Sequence, residues 1–378
     1  MHTPHDPDRR SLCATLLATD LLSLLPERTR SAPADGCRPL RALLEDEHQP
    51  GMAGVVVERG RIVAMAGTGL RDDASAEPVR TDTVFELGSI TKVFTALLVF
   101  RLRQRGLLAP DMPVGAFLDD LPAAWRPITL RRLLSHTSGI PNYLDEHNFL
   151  QLMPTDPRPR ELLARVADRP LDFAPGTRHA YSNTNYILLG LLVEQLAGMD
   201  YWRFLRQQIL DPLEMRGAGP RREADDRPLA QGHLYQDGRW LRPPVTAPGA
   251  AWAAGSLLAS IDDMARFAIG LDQERLLPAS ALREMWRDTP LEGGGSAGWG
   301  AGWELADRGR VVGHGGGTAG FTAYLRHVPA LRRTVVVLIN RAGDIAPKEI
   351  AARLDQQTRA CDRSGKRGGS VVGGVSTG

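Results

Sequence analysis

Residues 85–92 of the chain read Phe85-Glu86-Leu87-Gly88-Ser89-Ile90-Thr91-Lys92. An apolar pattern with helical spacing begins at Ser89 and continues to Arg105. One helical turn from Ser89 brings Lys92 to the same face, within hydrogen-bond reach of the serine hydroxyl. Because a lysine among apolar neighbours shifts toward its neutral form, it can accept the proton of a serine nucleophile. The spacing therefore predicts a nucleophile and base at a helix start, although a capping serine beside a lysine that reaches for solvent gives the same pattern.

A second candidate group, Tyr181-Ser182-Asn183, follows the Pro175-Gly176 turn and precedes a predicted helix. Residues two apart at a boundary between loop and helix can both face a cleft. The phenol of Tyr181 offers a proton relay, and the amide of Asn183 offers both a donor and an acceptor. The alternative is a capping loop with a packed tyrosine.

A third group, His314-Gly315-Gly316-Gly317-Thr318, leads into a predicted strand at Phe321–His327. Glycines on a strand let another backbone or a ligand come close, and their N–H groups can point at an oxyanion. A flexible turn is the alternative, and Gly293-Gly294-Gly295 shows that glycine runs also occur elsewhere in the chain.

The three groups occur in one order, each with the local structure that it requires. Together they resemble the class C β-lactamase-related serine hydrolases, which include low-molecular-weight penicillin-binding proteins, D-aminopeptidases, esterases and transacylases. The resemblance extends from about Leu40 to Leu354. Further stretches that carry it are Leu133-Leu134-Ser135-His136-Thr137-Ser138-Gly139-Ile140-Pro141, Pro175-Gly176-Thr177, Ala254-Gly255-Ser256 and Asp262-Asp263-Met264.

This resemblance implies roles in catalysis for four residues of the first two groups. Ser89 is expected to be acylated, while Lys92 and Tyr181 carry the proton from the nucleophile to the leaving group. Asn183 is expected to orient Lys92 and the substrate. No metal and no organic cofactor are implied.

The resemblance also implies a substrate site around these groups. The backbone N–H groups of Ser89 and Gly317 are expected to form the oxyanion hole, with Gly316 beside them. Tyr143 is expected at the rim of the substrate site. His136 is expected to be a structural histidine that holds its loop.

One departure from the family pattern concerns the third group. Class C β-lactamases carry Lys-Thr-Gly there, whereas this chain has His314 in place of the lysine. A histidine is mostly neutral above pH 7 and holds a substrate carboxylate weakly. The resemblance therefore speaks against efficient β-lactam hydrolysis. Lys348 could supply the missing charge, but a solvated surface lysine is the better expectation.

Strand patterns lie at both ends of the chain and helical patterns lie between them. With the resemblance, they predict an α/β (α+β) fold of the β-lactamase/transpeptidase type, in which helices flank a central antiparallel sheet and a helical lobe is inserted. The expected division is an appendage at residues 1–37, an α/β lobe of residues 38–105 and 245–362, a mainly helical lobe of residues 106–244, and a disordered tail at residues 363–378. The predicted strands are 52–57, 61–66, 311–312, 321–327 and 334–339, and the predicted helices are 40–47, 89–105, 128–134, 159–167, 185–197, 201–210 and 347–358.

Composition excludes several other classes of protein. The 46 basic side chains nearly balance the 44 acidic ones, and no basic run interleaves with aromatic residues, so nothing indicates a nucleic-acid partner. No stretch reaches the roughly 18 apolar residues of a membrane span. Three distant cysteines suggest neither a disulfide framework nor a metal site. Arg9-Arg10 before the apolar run 11–25 resembles a twin-arginine export signal, but Asp20 interrupts that run, which favours a cytoplasmic location.

The sequence thus predicts a serine hydrolase that acts on a small ester or amide, most simply by hydrolysis. A cytoplasmic transacylase with an amine or alcohol acceptor remains an alternative, and a non-catalytic binding protein on the same fold is the alternative of another class. Residues 142–159 carry Tyr143, Phe149, Leu150, Leu152 and Met153, which are expected either to form an apolar lid or to pack as a plain loop. The sequence leaves the oligomeric state open.

Overall fold

The computed structural model describes residues 38–145, 147–223, 227–236 and 238–367. The appendage expected at residues 1–37 lies outside this part of the chain, as do residues 368–378 of the expected tail.

The strands, in chain order, are β1 (Gly51–Glu58), β2 (Arg61–Asp72), β3 (Glu77–Pro78), β4 (Val84–Glu86), β5 (His233–Gln236), β6 (Arg239–Leu241), β7 (Leu258–Ser260), β8 (Glu304–Ala306), β9 (Val311–Gly317), β10 (Thr322–Val328), β11 (Arg333–Ile339) and β12 (Arg341–Gly343). The α-helices, in chain order, are α1 (Leu40–Glu45), α2 (Thr91–Gln104), α3 (Leu130–Leu134), α4 (Phe149–Leu152), α5 (Pro159–Ala164), α6 (Asn183–Ala197), α7 (Tyr201–Leu205), α8 (Pro248–Ala251), α9 (Ile261–Asp272), α10 (Ala279–Met285) and α11 (Pro347–Arg367).

The main sheet has the strand order β3-β2-β1-β11-β10-β9-β8, and every neighbouring pair is antiparallel. The two ends of the chain meet at its centre, where β1 pairs with β11 and Val55 lies opposite Val336. The hairpin β1–β2 turns through Arg59 and Gly60, which both have positive φ, as a tight two-residue hairpin requires. The predicted central antiparallel sheet is therefore confirmed.

Helices cover both faces of this sheet, which is why its central strands are apolar on both sides. Because side chains alternate along a strand, Val335, Val337 and Ile339 of β11 pack with α1 and α11 on one face. Val336 and Leu338 point the other way, into the larger core built on α2, α6 and α9. The predicted flanking helices are confirmed as well.

Helix α2 lies in the interior and packs against α6 and α7. Nearly all of its residues are buried, including Lys92, so it is a core helix rather than an amphipathic surface helix. Its start is reached from β4, which pairs with β7, through a 3₁₀ turn at Gly88–Ile90. This connection places Ser89 where the sheet meets the helices.

Several boundaries differ from those that the sequence predicts. Helix α6 begins at Asn183 rather than Asn185, and α3 and α5 are shorter than predicted. Helix α7 is followed directly by a π-helix, Arg206–Leu210, so the helical segment ends at Leu210 as predicted. Helix α11 continues to Arg367, so residues 363–367 are helical and not part of a disordered tail. An established helix gains one backbone hydrogen bond for each further residue, so it can extend past its last packed side chain.

Other strands were predicted only in part or not at all. Strand β9 continues to Gly317 because its glycines pair with β10, with His314 opposite Leu325, although glycine is depleted in strands. The hairpin β5–β6 lies in a stretch predicted to be mainly helical, and β5 pairs in parallel with β12. Strands this short and polar give no periodic signal in the sequence.

Candidate active site

Ser89 lies at the tip of a tight turn that the end of β9 touches. Gly88 has φ +52°, and a Cβ there would lie 2.5 Å from the backbone nitrogen of Gly317. A Cβ on Gly316 would lie 1.9 Å from the carbonyl oxygen of Leu87. Only glycine at both positions allows this approach, so the two backbones bring Ser89 and Gly317 to the same wall of one cavity.

Lys92 is buried, and two of its three hydrogen-bond partners, the side-chain oxygen of Asn183 and the carbonyl oxygen of Ala254, can only accept. Its Nζ lies 3.0 Å from the Oγ of Ser89, 2.8 Å from the Oδ1 of Asn183 and 2.5 Å from the carbonyl oxygen of Ala254. Burial lowers the pKa of Lys92 well below its usual value. A neutral amine has two N–H donors and one lone pair, so donation to Asn183 and Ala254 leaves the lone pair for the proton of Ser89.

The carbonyl of Ala254 was not predicted as part of the site, although Ala254-Gly255-Ser256 is one of the stretches that carry the family resemblance. It belongs to a 3₁₀ turn, Trp252–Ala254, whose first residue has φ 37° and ψ −122°. Such a backbone conformation costs energy for a residue other than glycine and persists only when packing enforces it. Trp252 packs on Tyr201 and against Gly190, where a Cβ would lie 2.6 Å from the indole ring. Packing on α6 and α7 thus holds the carbonyl that Lys92 contacts.

Tyr181 lies beside Ser89. The Nζ of Lys92 is 4.8 Å from the centre of its ring, and His136 stacks on it at 4.3 Å between ring centres. Its buried hydroxyl is next to that of Ser89 without completing a hydrogen bond of good geometry. Burial raises the pKa of Tyr181, and Ser89 lowers it in part. The phenol therefore keeps its proton at neutral pH and can donate it.

His136 was predicted to hold its loop. Its Nδ1 accepts a hydrogen bond from the backbone N–H of Ser182 at 3.1 Å, so it ties the loop after α3 to the start of α6. Burial lowers the pKa of His136 well below its usual value, and the nearby Lys92 lowers it further. The imidazole of His136 is therefore neutral, and it stacks on the ring of Tyr181.

His314 lies behind Tyr181 rather than on the cavity wall. Its ring is 6.2 Å from that of Tyr181 and 5.5 Å from that of Trp299. Its Nδ1 lies 2.6 Å from the carbonyl oxygen of Gly315, which can only accept, so Nδ1 carries the proton. Burial, with a contribution from Lys92, lowers the pKa of His314 to about 3. The ring is therefore neutral, and its position behind Tyr181 gives it no contact with the cavity in which a substrate carboxylate would lie.

A cavity of about 340 Å³ opens beside Ser89. Its wall consists of Ser89, Asn142, Leu144, Asp145, Phe149, Met153, Asn183, Thr246, Ala251, Ala254, Gly255, Gly317 and Thr318. Among these described residues Asp145 is the only acidic one, and none is a lysine or arginine. The cavity is therefore apolar and amide-lined, with negative charge at one side.

Tyr143 is not at the rim, which corrects the expectation from the sequence. Its side chain is only 2% exposed, and its hydroxyl donates to the carbonyl oxygen of Ala250 at 3.0 Å. The turn after Pro141 directs Tyr143 inward and leaves its neighbours Asn142 and Leu144 on the cavity wall. A single tyrosine in a loop carries no signal for which way it points.

Asn142 is the main contributor that sequence reasoning missed. Its Oδ1 accepts the backbone N–H of Asn183 at 2.9 Å and the side-chain Nδ2 of Asn183 at 3.2 Å. The only signal was its place directly after the Gly139-Ile140-Pro141 turn. Lys348, in contrast, pairs with Glu304 and does not line the cavity.

Within the described ranges, no cluster of three or more His, Cys, Asp or Glu side chains is arranged to hold a metal ion. The same part of the chain contains no helix with both the length and the apolar character needed to cross a membrane.

The chain is similar to several known proteins. The Beta-lactamase family model matches residues 38–360. Penicillin-binding protein 4 of Amycolatopsis lactamdurans is 32% identical over 326 residues, which cover 79% of this chain and 83% of that protein. Esterase EstB of Burkholderia gladioli is 35% identical over 190 residues, covering 47% of this chain and 48% of that protein. The structure of a D-stereospecific amidohydrolase from Streptomyces sp. superposes with a TM-score of 0.68 and 27% identity, over 83% of this chain and 95% of the other.

Proposed function

Because this chain belongs to the Beta-lactamase family, we propose that it is a serine hydrolase that cleaves a small ester or amide through an acyl-enzyme on Ser89. One observation carries the proposal: the Nζ of the buried Lys92 lies 3.0 Å from the Oγ of Ser89. The names of the relatives, an esterase and a D-stereospecific amidohydrolase, support an ester or amide as the substrate class.

In the proposed acylation, the Oγ–H proton of Ser89 passes to the Nζ of Lys92 as Oγ bonds to the carbonyl carbon. The bond from that carbon to the leaving oxygen or nitrogen then breaks. The leaving group takes a proton from the hydroxyl of Tyr181, which regains one from the Lys92 ammonium. In deacylation, water attacks the acyl-enzyme, Lys92 accepts the water proton, and that proton returns to Ser89. The lowered pKa of Lys92 and the raised pKa of Tyr181 support these roles.

The oxyanion of each step is proposed to bind the backbone N–H groups of Ser89 and Gly317. Support comes from the close approach of the two backbones at Gly88 and Gly316, which only glycine permits. The donors are part of rigid elements, the 3₁₀ turn before α2 and the end of β9, so they need little reorganisation during the reaction.

The preferred substrate is proposed to be neutral or to carry an ammonium group rather than a carboxylate. His314 is neutral and buried, and Asp145 is the only charged side chain on the described cavity wall. A carboxylate would therefore meet no cation there and would be repelled by Asp145. Penicillins carry a carboxylate, so we propose that they are poor substrates.

Transfer of the acyl group to an amine or alcohol is a second candidate. Leu144, Phe149 and Met153, from the segment predicted as a lid, line the cavity and could restrict water near the acyl-enzyme. We therefore propose a lid role for these three residues only. Tyr143, which was also predicted to belong to the lid, packs inward and belongs to the core.

Intact-mass spectrometry tests the main proposal. The protein is incubated separately with a short-chain activated ester, a D-amino-acid amide and a penicillin, and the mass is followed over time. We expect an acyl adduct with the ester that water clears, and no adduct in Ser89→Ala. Turnover without any adduct in the wild type, at the same rate in Ser89→Ala, would contradict the proposal.

A further inference from the structure

The side-chain amide of Asn183 can support the reaction in only one of its two orientations. Its Oδ1 accepts from the Nζ of Lys92 at 2.8 Å. If the amide rotated by half a turn, its Nδ2 would face Lys92 and donor would oppose donor. The lone pair of Lys92 would then no longer be directed at Ser89, because one of the two acceptors that fix the amine would be missing.

Asn142 removes this ambiguity. Its Oδ1 lies 2.9 Å from the backbone nitrogen of Asn183 and 3.2 Å from Nδ2 of the same residue. An oxygen without a hydrogen can only accept, so the Nδ2 of Asn183 must point toward Asn142 and its Oδ1 toward Lys92. Asn142 itself is held by Leu144, whose carbonyl oxygen accepts from its Nδ2 and whose N–H donates to its Oδ1 at 3.4 Å.

We propose that Asn142 is a positioning residue that fixes the amide of Asn183 and, through it, the catalytic lysine. The inference rests on the proposed function, because it assigns Asn142 to the activation of Ser89 by Lys92. It goes further in identifying a chain of contacts from the loop after α3 through the start of α6 to the nucleophile.

The charge state of Lys92 provides a readout specific to this role. The other titratable groups that face Lys92 are the tyrosines Tyr181 and Tyr186 and the histidines His136 and His314. Burial raises the pKa of both tyrosines and lowers that of both histidines, so all four are neutral near pH 7. The acid limb of the acylation rate against pH then reports the deprotonation of Lys92.

Two substitutions are expected to move this limb in opposite directions. Asn142→Asp keeps the oxygen that accepts from Asn183 and adds a negative charge, which favours the ammonium form of Lys92. Its limb should move to higher pH by roughly one unit. Asn142→Leu frees the amide of Asn183, so Lys92 loses an acceptor. Its limb should move to lower pH, and its maximal rate should fall about tenfold or more.

Asn148→Ala is the matched control. Asn148 belongs to the same segment and donates to the carbonyl oxygen of Tyr143 at 2.8 Å, but it does not contact Asn183 or line the cavity. This variant should loosen the segment without moving the limb.

The experiment measures the second-order rate of acylation by an activated ester from pH 5 to 10 in all four proteins. An unchanged limb in Asn142→Asp, or an equal shift in Asn148→Ala, would overturn the role of Asn142 while leaving the nucleophile in place. If Asn142→Leu does not fold, the upward shift in Asn142→Asp decides the matter alone. A wild type that forms no acyl adduct on Ser89 would overturn both this role and the proposed function.

Discussion

Lys92 can remove a proton only in its neutral form, and burial lowers the pKa of Lys92 and so favours that form. Arginine has the same charge as protonated lysine but does not lose its proton in proteins. Lys92→Arg should therefore lower the acylation rate by roughly 10²- to 10⁴-fold, as expected when a general base is removed. Stopped-flow acylation with an activated ester measures this effect, with circular dichroism to confirm folding. A rate within threefold of the wild type would show that Lys92 is not the base.

Asp145 provides a test of the proposed substrate charge. Its Oδ1 accepts the backbone N–H groups of His147 and Asn148 at 2.9 and 3.0 Å, which fixes the carboxylate on the cavity wall. The wild type should prefer an amino-acid ester with a free ammonium group over the matching ester without it. Asp145→Asn should reduce this preference about two- to fivefold, the effect of an exposed charge pair, with little change for the neutral ester.

Steady-state kcat/KM for the two esters, and for a penicillin, gives the result. A preference that is the same in Asp145→Asn, or a penicillin turned over as fast as the neutral ester, would contradict the assignment of charge in this cavity.

Helix α4 is the element that can decide between hydrolysis and transfer. Phe149 lies on the cavity wall, whereas Leu150, the next residue of the same helix, is 42% exposed and does not line the cavity. If α4 limits the access of water, Phe149→Ala should shift the products of an ester assay with added amine or alcohol from transfer toward acid. Leu150→Ala is the control and should leave the ratio unchanged. Product ratios by mass spectrometry that are equal in all three proteins would leave α4 as a packing element.

The elements differ in how far the sequence could predict them. Helix α2 and the β1–β2 hairpin were predictable because their apolar periodicity is long and their ends are marked by glycine. The contact of Ser89 with Lys92 follows from a single helical turn, so it too could be predicted.

The rest of the site depends on contacts that have no local pattern. The extension of β9 through its glycines depends on pairing with β10, and the inward turn of Tyr143 depends on the carbonyl of Ala250. The third acceptor of Lys92 is a backbone carbonyl, that of Ala254, and any residue type can provide one. Sequence reasoning could name these regions but not the geometry that joins them.

The folded molecule as a whole contains several buried neutral histidines, and these make its stability depend on pH. Burial lowers the pKa of His314 to about 3 and that of His327 to about 4, whereas both titrate near 6.5 in the unfolded chain. Between these values the unfolded chain binds more protons. The contribution of these histidines to the free energy of unfolding should therefore be complete above about pH 6.5. Below that pH the free energy of unfolding should fall by about 1.4 kcal/mol per pH unit for each histidine.

His327 allows this effect to be measured away from the candidate site. Its Nδ1 is 2.9 Å from the Oγ1 of Thr334, and its ring packs on Trp286 at 4.9 Å. Urea unfolding at pH 7, 6 and 5 should show falling stability in the wild type and a shallower decline in His327→Gln. Equal stability at pH 7 and pH 5, or parallel curves for the two proteins, would contradict this account.

The central claim, that Lys92 activates Ser89 as the nucleophile, is tested most directly by peptide mapping after reaction with a fluorophosphonate probe. The phosphonyl group bonds to the serine oxygen with loss of fluoride, so its position identifies the nucleophile. We predict that the label is on the peptide that contains Ser89, that Ser89→Ala is not labelled, and that labelling of Lys92→Arg is strongly slowed. A label on any other residue, or labelling of Ser89→Ala at the rate of the wild type, would contradict the claim.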